Sequence, residues 1–310
     1  CERTIVGIGG NSTDTATTIC TIPLDLFDDL VFRQQITVDK SMVTGSSDIT
    51  DFPLLVHFTG AVGSSPLRTI ANGGAIQSTP GSDPVRPADF LFRDGNGHSP
   101  LDFEIDDYDP VSGELTAWVR VPTLYRNTDT TFYIYYGSGT ITTSQENAIG
   151  VWGVDHELVY HMTKIEHVSP VGADTVLDSS TDPNTGSLGR TTSSNDVTGK
   201  IGRALGFVGS ATGTLVTASG VTDPANDFTL EMWVYESDTN GAKLVQLLDD
   251  GVTTGENLLF HDAGDKILKA MAGGVEHNSG QALPDNDWAH FALVHDNATN
   301  TLSWYLDGNL

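Results

Sequence analysis

Apolar and polar residues alternate with a period of two along much of the chain, and the clearest case lies between residues 228 and 307. In the segment FTLEMWVY every second position is apolar, namely Phe228, Leu230, Met232 and Val234. The segment TLSWYLDG repeats the pattern with Leu302, Trp304 and Leu306. Successive side chains of a strand point to opposite faces, so this alternation predicts strands that bury one face in a core.

The first half of the chain carries the same signal in shorter runs. Apolar runs there predict strands at Phe32–Val38, Phe52–Phe58, Phe90–Phe92, Leu101–Ile105, Glu114–Val121 and Thr131–Tyr136. Turn-forming segments such as RDGNG and DPVSGE separate these runs, as is typical of β-sandwiches. The pattern therefore predicts an all-β protein.

A polar stretch, GSGTITTSQENAIG at residues 137–150, predicts a linker between two domains. The length of 310 residues also suits about two domains. We predict two β-sandwich domains, at residues 25–145 and 151–310, after an N-terminal arm or linking strand at residues 1–24. Just beyond the linker, DHELVYHMTKIEH fits both a helical and a strand period, and its flanking segments favour a strand over Leu158–Met162.

The chain is strongly acidic, and this narrows the choice of partners. It has 41 Asp and Glu against 15 Lys and Arg, which gives a formal net charge of −26. Nucleic acid is a poor partner, since phosphate binding requires clusters of basic side chains. An anionic membrane surface is disfavoured for the same reason. No apolar run approaches the ~18 residues of a membrane-spanning helix, so we expect no membrane insertion. The acidity is typical of a solvated extracellular surface.

The two cysteines, Cys1 and Cys20, are compatible with a disulfide that pins the N-terminal segment. An exported protein permits such a bond and a cytosolic one rarely does, although two free thiols remain an alternative. A sequence that starts at Cys1 without Met resembles a mature product whose signal peptide has been removed. Lipid anchoring of Cys1 is a further alternative. We therefore expect a secreted or cell-surface protein.

Several segments of the second domain occur in an order typical of one family. They are LVYHM, VLDSSTDPNTG, GKIGRALGFVG, DFTLEMWVY, DWAHFALVHD and LSWYLDGNL. From about Val151 onward the chain thereby resembles a laminin G-like, concanavalin A-like jelly roll. The resemblance implies a jelly-roll sandwich, and it supports the strand at Leu158–Met162.

The first domain contains six segments that are typical of another family. They are FRQQITVD, DFPLLVHFTG, FLFRDGNG, LDFEIDDYD, LTAWVRVPTL and TFYIYYGSG. With these segments it resembles an uncharacterised domain family that often precedes such jelly rolls in secreted bacterial and archaeal proteins. The resemblance implies a domain architecture and no particular chemistry. The same pairing is found in accessory proteins of some type IV pili, in adhesins and in virus-associated surface proteins.

The resemblance to laminin G-like domains stops short at the C-terminal end. Such domains normally continue with further strands past the turn found here at Asp307 and Gly308, whereas this sequence ends at Leu310. A sandwich without its closing strands would expose unpaired edges. We expect either that the natural protein continues or that a neighbouring chain completes the jelly roll.

One acidic run invites a catalytic interpretation. The segment EIDDYD, from Glu104 to Asp109, is similar to the E-x-D-x-x-E signature of laminarinase-type glycosidases. Retaining glycosidases require two carboxyl groups about 5–5.5 Å apart. The run lies in the first domain, and it ends in the shorter Asp109. No GxSxG, HExxH or P-loop motif is present. We therefore expect no enzymatic activity.

The histidines suggest metal binding only weakly. His156, His161 and His167 are spaced five or six residues apart, and His290 and His295 are five apart. A spacing of five places side chains on opposite faces of a strand, so neither set is predicted to converge on zinc. We interpret them as ordinary strand and loop histidines.

Calcium is the better candidate ion. Asp178, Asp182 and Asn184 in LDSSTDPNTG form an oxygen-rich loop, and Asp249, Asp250 and Glu256 form another. Oxygen ligands from loops suit Ca²⁺. The same residue types also form ordinary turns, so turn chemistry is the alternative explanation. We name the first loop as the candidate calcium site.

Three aromatic residues are candidates for ligand binding. Trp118, Trp233 and Tyr305 fall on strand faces opposite the apolar stripes. An exposed ring can pack on the apolar face of a sugar. The alternative is that these rings lie on the second face of a sandwich layer or under a loop, because large aromatic side chains are usually buried.

These observations favour a non-catalytic extracellular protein that serves adhesion or recognition, with a glycan or a surface protein as ligand and Ca²⁺ as a possible aid. One alternative is a structural subunit of an extracellular filament, sheath or virion. In that case the arm segment TDTATTICTIPL would add a strand to the sheet of another copy of the chain. The third alternative is a polysaccharide hydrolase or its binding module.

Overall fold

The computed structural model describes residues 30–77, 86–166, 174–181, 184–189, 196–207, 215–217, 227–237, 242–245, 259–261, 266–272, 275–299 and 301–310. Some of the predictions fall on other residues. These are the N-terminal arm at residues 1–24 with Cys1 and Cys20, His167, Asp182, and the second acidic loop with Asp249, Asp250 and Glu256.

The first domain consists of antiparallel strands in two sheets. Its strands are β1 (Phe32–Val38), β2 (Ile49–Phe58), β3 (Leu91–Arg93), β4 (Pro100–Leu101), β5 (Phe103–Asp109), β6 (Glu114–Leu124) and β7 (Thr130–Tyr136). One sheet has the order β1-β7-β3-β4 and the other the order β2-β6-β5. Every predicted strand of this half is present. The predicted strand at Leu101–Ile105 is divided between β4 and β5.

Alternating apolar side chains of both sheets form one core. Its largest fully buried members are Phe90, Phe92, Phe103, Phe132, Leu67, Ile76, Ile105, Leu115 and Ile134. Burying one such side chain contributes about 1.5–3 kcal/mol, which makes this core the main source of stability of the domain. Strand β7 shows the expected pattern, since its residues are buried at every second position.

Strand β5 departs from that alternation, because it is buried on both faces. Phe103, Ile105 and Tyr108 point into the core. On the opposite face, Glu104 is 0% exposed and Asp106 is 3% exposed. Buried carboxylates are costly unless other groups pair with them, so the outer face of β5 must be covered by polar partners.

The predicted linker contains a short helix and is attached to the first domain. Helix α1 (Ala148–Trp152) is preceded by Asn147, whose Oδ1 accepts a hydrogen bond from the Gly150 N–H at 3.3 Å. Arg120 Nη1 donates to the Gly150 carbonyl at 3.0 Å. Upstream, the Glu146 carboxylate accepts from the Ile105 N–H at 2.7 Å. Alternation of apolar residues did not predict this helix, which spans five residues.

The C-terminal part consists of further strands. They are β8 (Tyr160–Glu166), β9 (Asp174–Asp178), β10 (Gly186–Gly189), β11 (Asp196–Thr198), β12 (Arg203–Leu205), β13 (Leu215–Thr217), β14 (Phe228–Tyr235), β15 (Ala242–Val245), β16 (Leu259–His261), β17 (Ile267–Ala272), β18 (Val275–Ala282), β19 (Trp288–Asp296) and β20 (Thr301–Leu306). The described sheets have the orders β13-β10-β9-β8, β11-β12, β14-β19-β20 and β15-β16-β17-β18.

The ambiguous segment after the linker is a strand, as predicted, but β8 begins at Tyr160 rather than at Leu158. Its pairing with β9 is irregular: Tyr160 pairs with Asp178, and the register then jumps to Ile165 opposite Val176. Within this irregular stretch Met162 has a positive φ of 56°. This conformation is uncommon for a residue with a side chain.

The sheet β14-β19-β20 confirms the pattern from which the strands were predicted. The alternate apolar residues of β14 and β20 all pack on a core formed by Phe291, Leu293, Ala289, Leu268 and their neighbours. The intervening residues of β14 are exposed. No helix within the described ranges is long and apolar enough to cross a membrane.

Candidate functional site

The outer face of the sheet β14-β19-β20 carries a row of aromatic side chains. We call Trp233, Tyr235, Trp288 and Tyr305 the aromatic face. In the register of the sheet Trp233 lies opposite His290, and Tyr235 lies opposite Trp288. Tyr305 pairs with Ala292, which in turn pairs with Glu231. Since residues in register share a face, all these side chains lie on the side away from the core.

Two of the aromatic rings are open to solvent. Trp233 is 37% exposed and Tyr235 is 47% exposed. The Trp233 and His290 ring centroids are 5.2 Å apart, and those of Tyr235 and Trp288 are 5.5 Å apart. These cross-strand pairs hold the rings in place, because such contacts stabilise neighbouring strands. The face therefore presents oriented aromatic rings to solvent.

Charged groups border these rings. Lys200 Nζ lies 5.4 Å from the centroid of the Trp233 ring. Glu231 Oε2 is 3.7 Å from His290 Nε2. Asp307 Oδ1 accepts a hydrogen bond from the His290 N–H at 2.9 Å. Rings that offer apolar contact, together with polar groups at their edge, provide the chemistry that a sugar with apolar faces and hydroxyl groups requires.

The predicted ligand-binding residues are divided between two places. Trp233 and Tyr305 lie on the aromatic face, opposite the apolar stripe, as predicted. Trp118 lies on β6, where its ring is 5.1 Å from that of Trp152 and 5.8 Å from that of His161. It is partly buried under α1 and β8, so for Trp118 the alternative of a covered ring is correct. Ligand binding by Trp233 and Tyr305 stays a prediction.

Sequence reasoning overlooked Tyr235 and Trp288, and it considered His290 only as a candidate metal ligand. The signal for Tyr235 was available, since it stands two residues after Trp233 in the same strand. No signal in the sequence indicates the positions of Trp288 and His290 beside β14, because these depend on the register of β19.

Part of the acidic run of the first domain is buried, since Glu104 and Asp106 are enclosed in the protein whereas Asp109 is exposed. Glu104 Oε2 accepts hydrogen bonds from Trp152 Nε1 at 2.7 Å and from His161 Nε2 at 3.1 Å. Glu104 Oε1 accepts from the Ser179 hydroxyl at 2.5 Å. Asp106 Oδ2 lies 4.0 Å from His161 Nδ1. We call Glu104, Trp152, His161 and Ser179 the junction cluster.

Burial changes the ionisation of groups near this cluster. It lowers the pKa of His161, because desolvation disfavours the imidazolium, although the charge of Asp106 acts in the opposite direction. Burial also raises the pKa of Asp107, the next carboxyl along β5. The junction cluster is therefore an acceptor surrounded by donors, with a histidine that favours its neutral form.

Two of the histidines lie against the same aromatic ring. The ring centroids of His156 and His161 are 5.4 and 5.3 Å from that of Trp152. His156 precedes the first residue of β8, so the strand geometry behind the prediction does not apply to it. His161 lies on β8, and its Nε2 is hydrogen-bonded to Glu104. That these histidines do not converge on zinc stays a prediction.

At the candidate calcium loop, the carboxylate of Asp178 is used within the protein. Its Oδ1 accepts from the Val159 and Ser180 N–H groups, at 2.8 and 3.0 Å. Its Oδ2 accepts from the Ser180 hydroxyl at 2.9 Å and from the Asn184 N–H at 2.8 Å. This is the geometry of the turn alternative. Calcium binding here stays a prediction, since Asp182 lies outside the described ranges.

Within the part of the chain that the structure describes, no group of three or more His, Cys, Asp or Glu side chains is arranged to hold a metal ion.

The described part of the chain is almost entirely β-structure, and its C-terminal part contains a concanavalin A-like domain with a laminin G-like jelly-roll fold. Residues 209–310 match the laminin G-type family model described as the Concanavalin A-like lectin/glucanases superfamily. Residues 86–156 match a family described as a Domain of unknown function (DUF2341). Both predicted resemblances and their order are thereby confirmed. Comparison with curated proteins and with solved structures gave no match.

Proposed function

We propose that this chain is a non-catalytic, extracellular recognition protein that binds a glycan through the aromatic face. The concanavalin A-like domain fits a carbohydrate- or protein-binding module. Between these two ligands, the aromatic face favours a glycan. Its rings are spaced along the face and bordered by polar groups, rather than forming one continuous apolar patch of the kind that favours a protein partner.

The single observation that carries this proposal is the exposure of Trp233 and Tyr235 on one strand, at 37% and 47%. Folded proteins usually cover large aromatic side chains, since these contribute strongly to burial. Two open rings at alternate positions present apolar surfaces that neighbouring sugar units can contact. Glu231 and Lys200 supply an acceptor and a donor for sugar hydroxyls beside them.

The extracellular location is supported by composition. A net charge of −26 keeps a protein soluble and disfavours nucleic acid and anionic membrane surfaces as partners. Cys1 and Cys20 support an extracellular location only if they form a disulfide, because disulfides persist mainly outside the cytosol. Mass spectrometry of the secreted protein, with and without reduction, tests this pairing.

The absence of catalysis is supported by the position of the acidic run. Glu104 is 0% exposed, and Trp152, His161 and Ser179 donate hydrogen bonds to it. A glycosidase needs its two carboxyl groups at the sugar ring. We expect no release of reducing sugar from β-glucans, and release that is lost in Glu104→Gln would overturn this part of the proposal.

The binding experiment compares matched aromatic substitutions. We expect Trp233→Ala and Tyr235→Ala each to weaken retention on a glycan array by about 3- to 10-fold, since one aromatic contact contributes about 0.5–1.5 kcal/mol. Tyr125→Ala is the control, because Tyr125 is also 47% exposed but lies in the first domain. Equal binding by all three variants would contradict a role for the aromatic face.

Assistance by Ca²⁺ is a separate part of the proposal. Glycan retention and thermal stability should both fall when a chelator is added, and Ca²⁺ but not Mg²⁺ should restore them. If chelation changes neither quantity, calcium has no part in the function.

A second candidate function is that of a structural subunit that assembles with copies of itself. The observation that favours it is the position of β1, which lies at the edge of its described sheet and begins at Phe32, soon after the predicted N-terminal arm. Sheet edges accept added strands. This model requires that deletion of residues 1–24 abolish self-assembly of the purified protein. Normal assembly of the deletion variant would exclude strand addition by the arm.

A further inference from the structure

The junction cluster connects parts of the chain that are far apart in sequence. Trp152, His161 and Ser179 follow their shared acceptor Glu104 by 48, 57 and 75 residues. Trp152 ends helix α1, His161 lies on β8, and Ser179 follows β9. A single carboxylate of the first domain is therefore hydrogen-bonded to three successive segments, two of which belong to the C-terminal part.

This contact is buried. Glu104 is 0% exposed, and next to it the rings of Trp118, Trp152 and His161 pack against one another at centroid distances of 5.1 to 5.8 Å. A hydrogen bond is electrostatically stronger in the interior of a protein than in water. Removing a partner from such a site is costly, because a buried polar group is then left unpaired.

The segment between the two parts is held in place as well. Glu146 accepts a hydrogen bond from the Ile105 N–H and forms an ion pair with Arg86 at 3.0 Å. The Asn147 N–H donates to the Phe103 carbonyl at 2.9 Å, and its side-chain amide donates to Asp102 at 2.8 Å. A polar linker would normally allow the domains to move. Here its residues Glu146 and Asn147 are hydrogen-bonded to β5.

Backbone strain occurs where the C-terminal part meets the cluster. Met162, the neighbour of His161, has a φ of 56° within the irregular pairing of β8 and β9. Strain of this kind persists only where the surroundings impose it. The side chain of Met162 packs against the buried cluster of Val176, Leu188 and Leu205. The bulge therefore lets β8 direct His161 to the first domain while it keeps Met162 in its own core.

We propose that the junction cluster is an interdomain latch, centred on Glu104, that joins the first domain to strands β8 and β9 as one rigid and cooperative unit. Such a unit would hold β8 and β9, the first strands of the C-terminal part, at a fixed orientation on the first domain. In this view the outer face of β5 and β6 is an internal docking surface rather than a ligand site.

The test measures whether a substitution that destabilises the first domain also speeds hydrogen exchange in the C-terminal part. In the full-length chain, the core substitution Phe132→Leu weakens the first domain in the sheet that does not carry Glu104. With the latch intact, hydrogen exchange should become faster in peptides covering both β7 and β9. In the Glu104→Gln background, the same substitution should accelerate exchange in β7 only, and Glu104→Gln alone should speed exchange in β9 by about tenfold.

Glu114→Gln is the matched control, because Glu114 lies on the neighbouring strand β6 and pairs with His57 at the surface. It should leave the coupling unchanged. If Glu104→Gln does not fold, Trp152→Phe replaces it, since this change removes one donor and retains an aromatic ring. The latch is overturned if β9 does not respond to Phe132→Leu in the unmodified background, or if it still responds fully once the latch residue is changed.

Discussion

Strands β5 and β14 look alike in sequence but present opposite kinds of outer face. FEIDDYD and FTLEMWVY both begin with phenylalanine, and both place a glutamate between two apolar residues. On β14 the outward residues Glu231, Trp233 and Tyr235 are exposed. On β5 the outward residues Glu104 and Asp106 are buried. Alternation thus predicts which side chains point away from the core, but not whether solvent or another segment of the chain contacts them.

The difference also assigns a role to each face. A charged side chain on an open face adds little to stability, since water solvates it in the folded and unfolded states alike. A charged side chain under a covering segment must be paired, and its partners are then fixed in space. The open face is suited to an external ligand, and the covered face is suited to holding the chain together.

The largest expected effect comes from truncating the outward glutamate of each strand. Glu104→Ala should lower the free energy of unfolding by about 3–5 kcal/mol, because it leaves the donors of Trp152, Ser179 and His161 without their buried acceptor. Glu231→Ala should change it by no more than about 0.5 kcal/mol. Urea denaturation of both variants measures the contrast. Equal effects would mean that the two faces do not differ as described.

A smaller contrast is expected for two serines. Ser179→Ala removes one hydrogen bond to the Glu104 carboxylate and should cost about 1.5–3 kcal/mol. Ser303→Ala, on the outer face of β20, should cost less than about 0.5 kcal/mol. The midpoints of denaturation should differ while the slopes agree. If Ser303→Ala lowers the free energy of unfolding as much as Ser179→Ala does, the hydrogen bond to the junction cluster contributes no more to stability than an ordinary serine on an outer sheet face.

The smallest expected effect concerns the pH dependence of stability. Burial lowers the pKa of His161 in the folded state, so the unfolded chain binds a proton more readily once the pH falls below about 6.5. The contribution of His161 is fully present above that pH, and it is lost as the pH falls toward the lowered folded value.

Substitution of this histidine isolates its contribution. His161→Gln keeps a donor toward Glu104 and should flatten the fall in stability below about pH 6.5. His290→Gln, on the aromatic face, is the control. Thermal denaturation at several pH values compares the two variants with the unmodified protein. An unchanged pH profile in His161→Gln would contradict the lowered pKa.

Local pattern was sufficient for the strands of the first domain, for β14 and β20, and for one of the two faces. The apolar residues that predict an outward-facing Trp233 are its near neighbours in the sequence. The same alternation in β20 predicts an outward-facing Tyr305. Trp118 shows the limit of such reasoning. Its alternation is equally clear, yet α1 and β8 cover it, and these contacts join residues more than thirty positions apart. Helix α1 was missed because five residues are too few to establish a helical period.

The positions of the family matches give the junction cluster a consequence for domain exchange. The first match, at residues 86–156, contains both Glu104 and Trp152, whereas His161 and Ser179 lie between the two matched segments. A recombination that moved the first match alone would transfer the acceptor with one of its three donors. The recipient would have to supply the other two. Residues 157–181 would therefore be inherited together with the first domain whenever the two are shuffled, and this linkage would be visible in the genes of relatives.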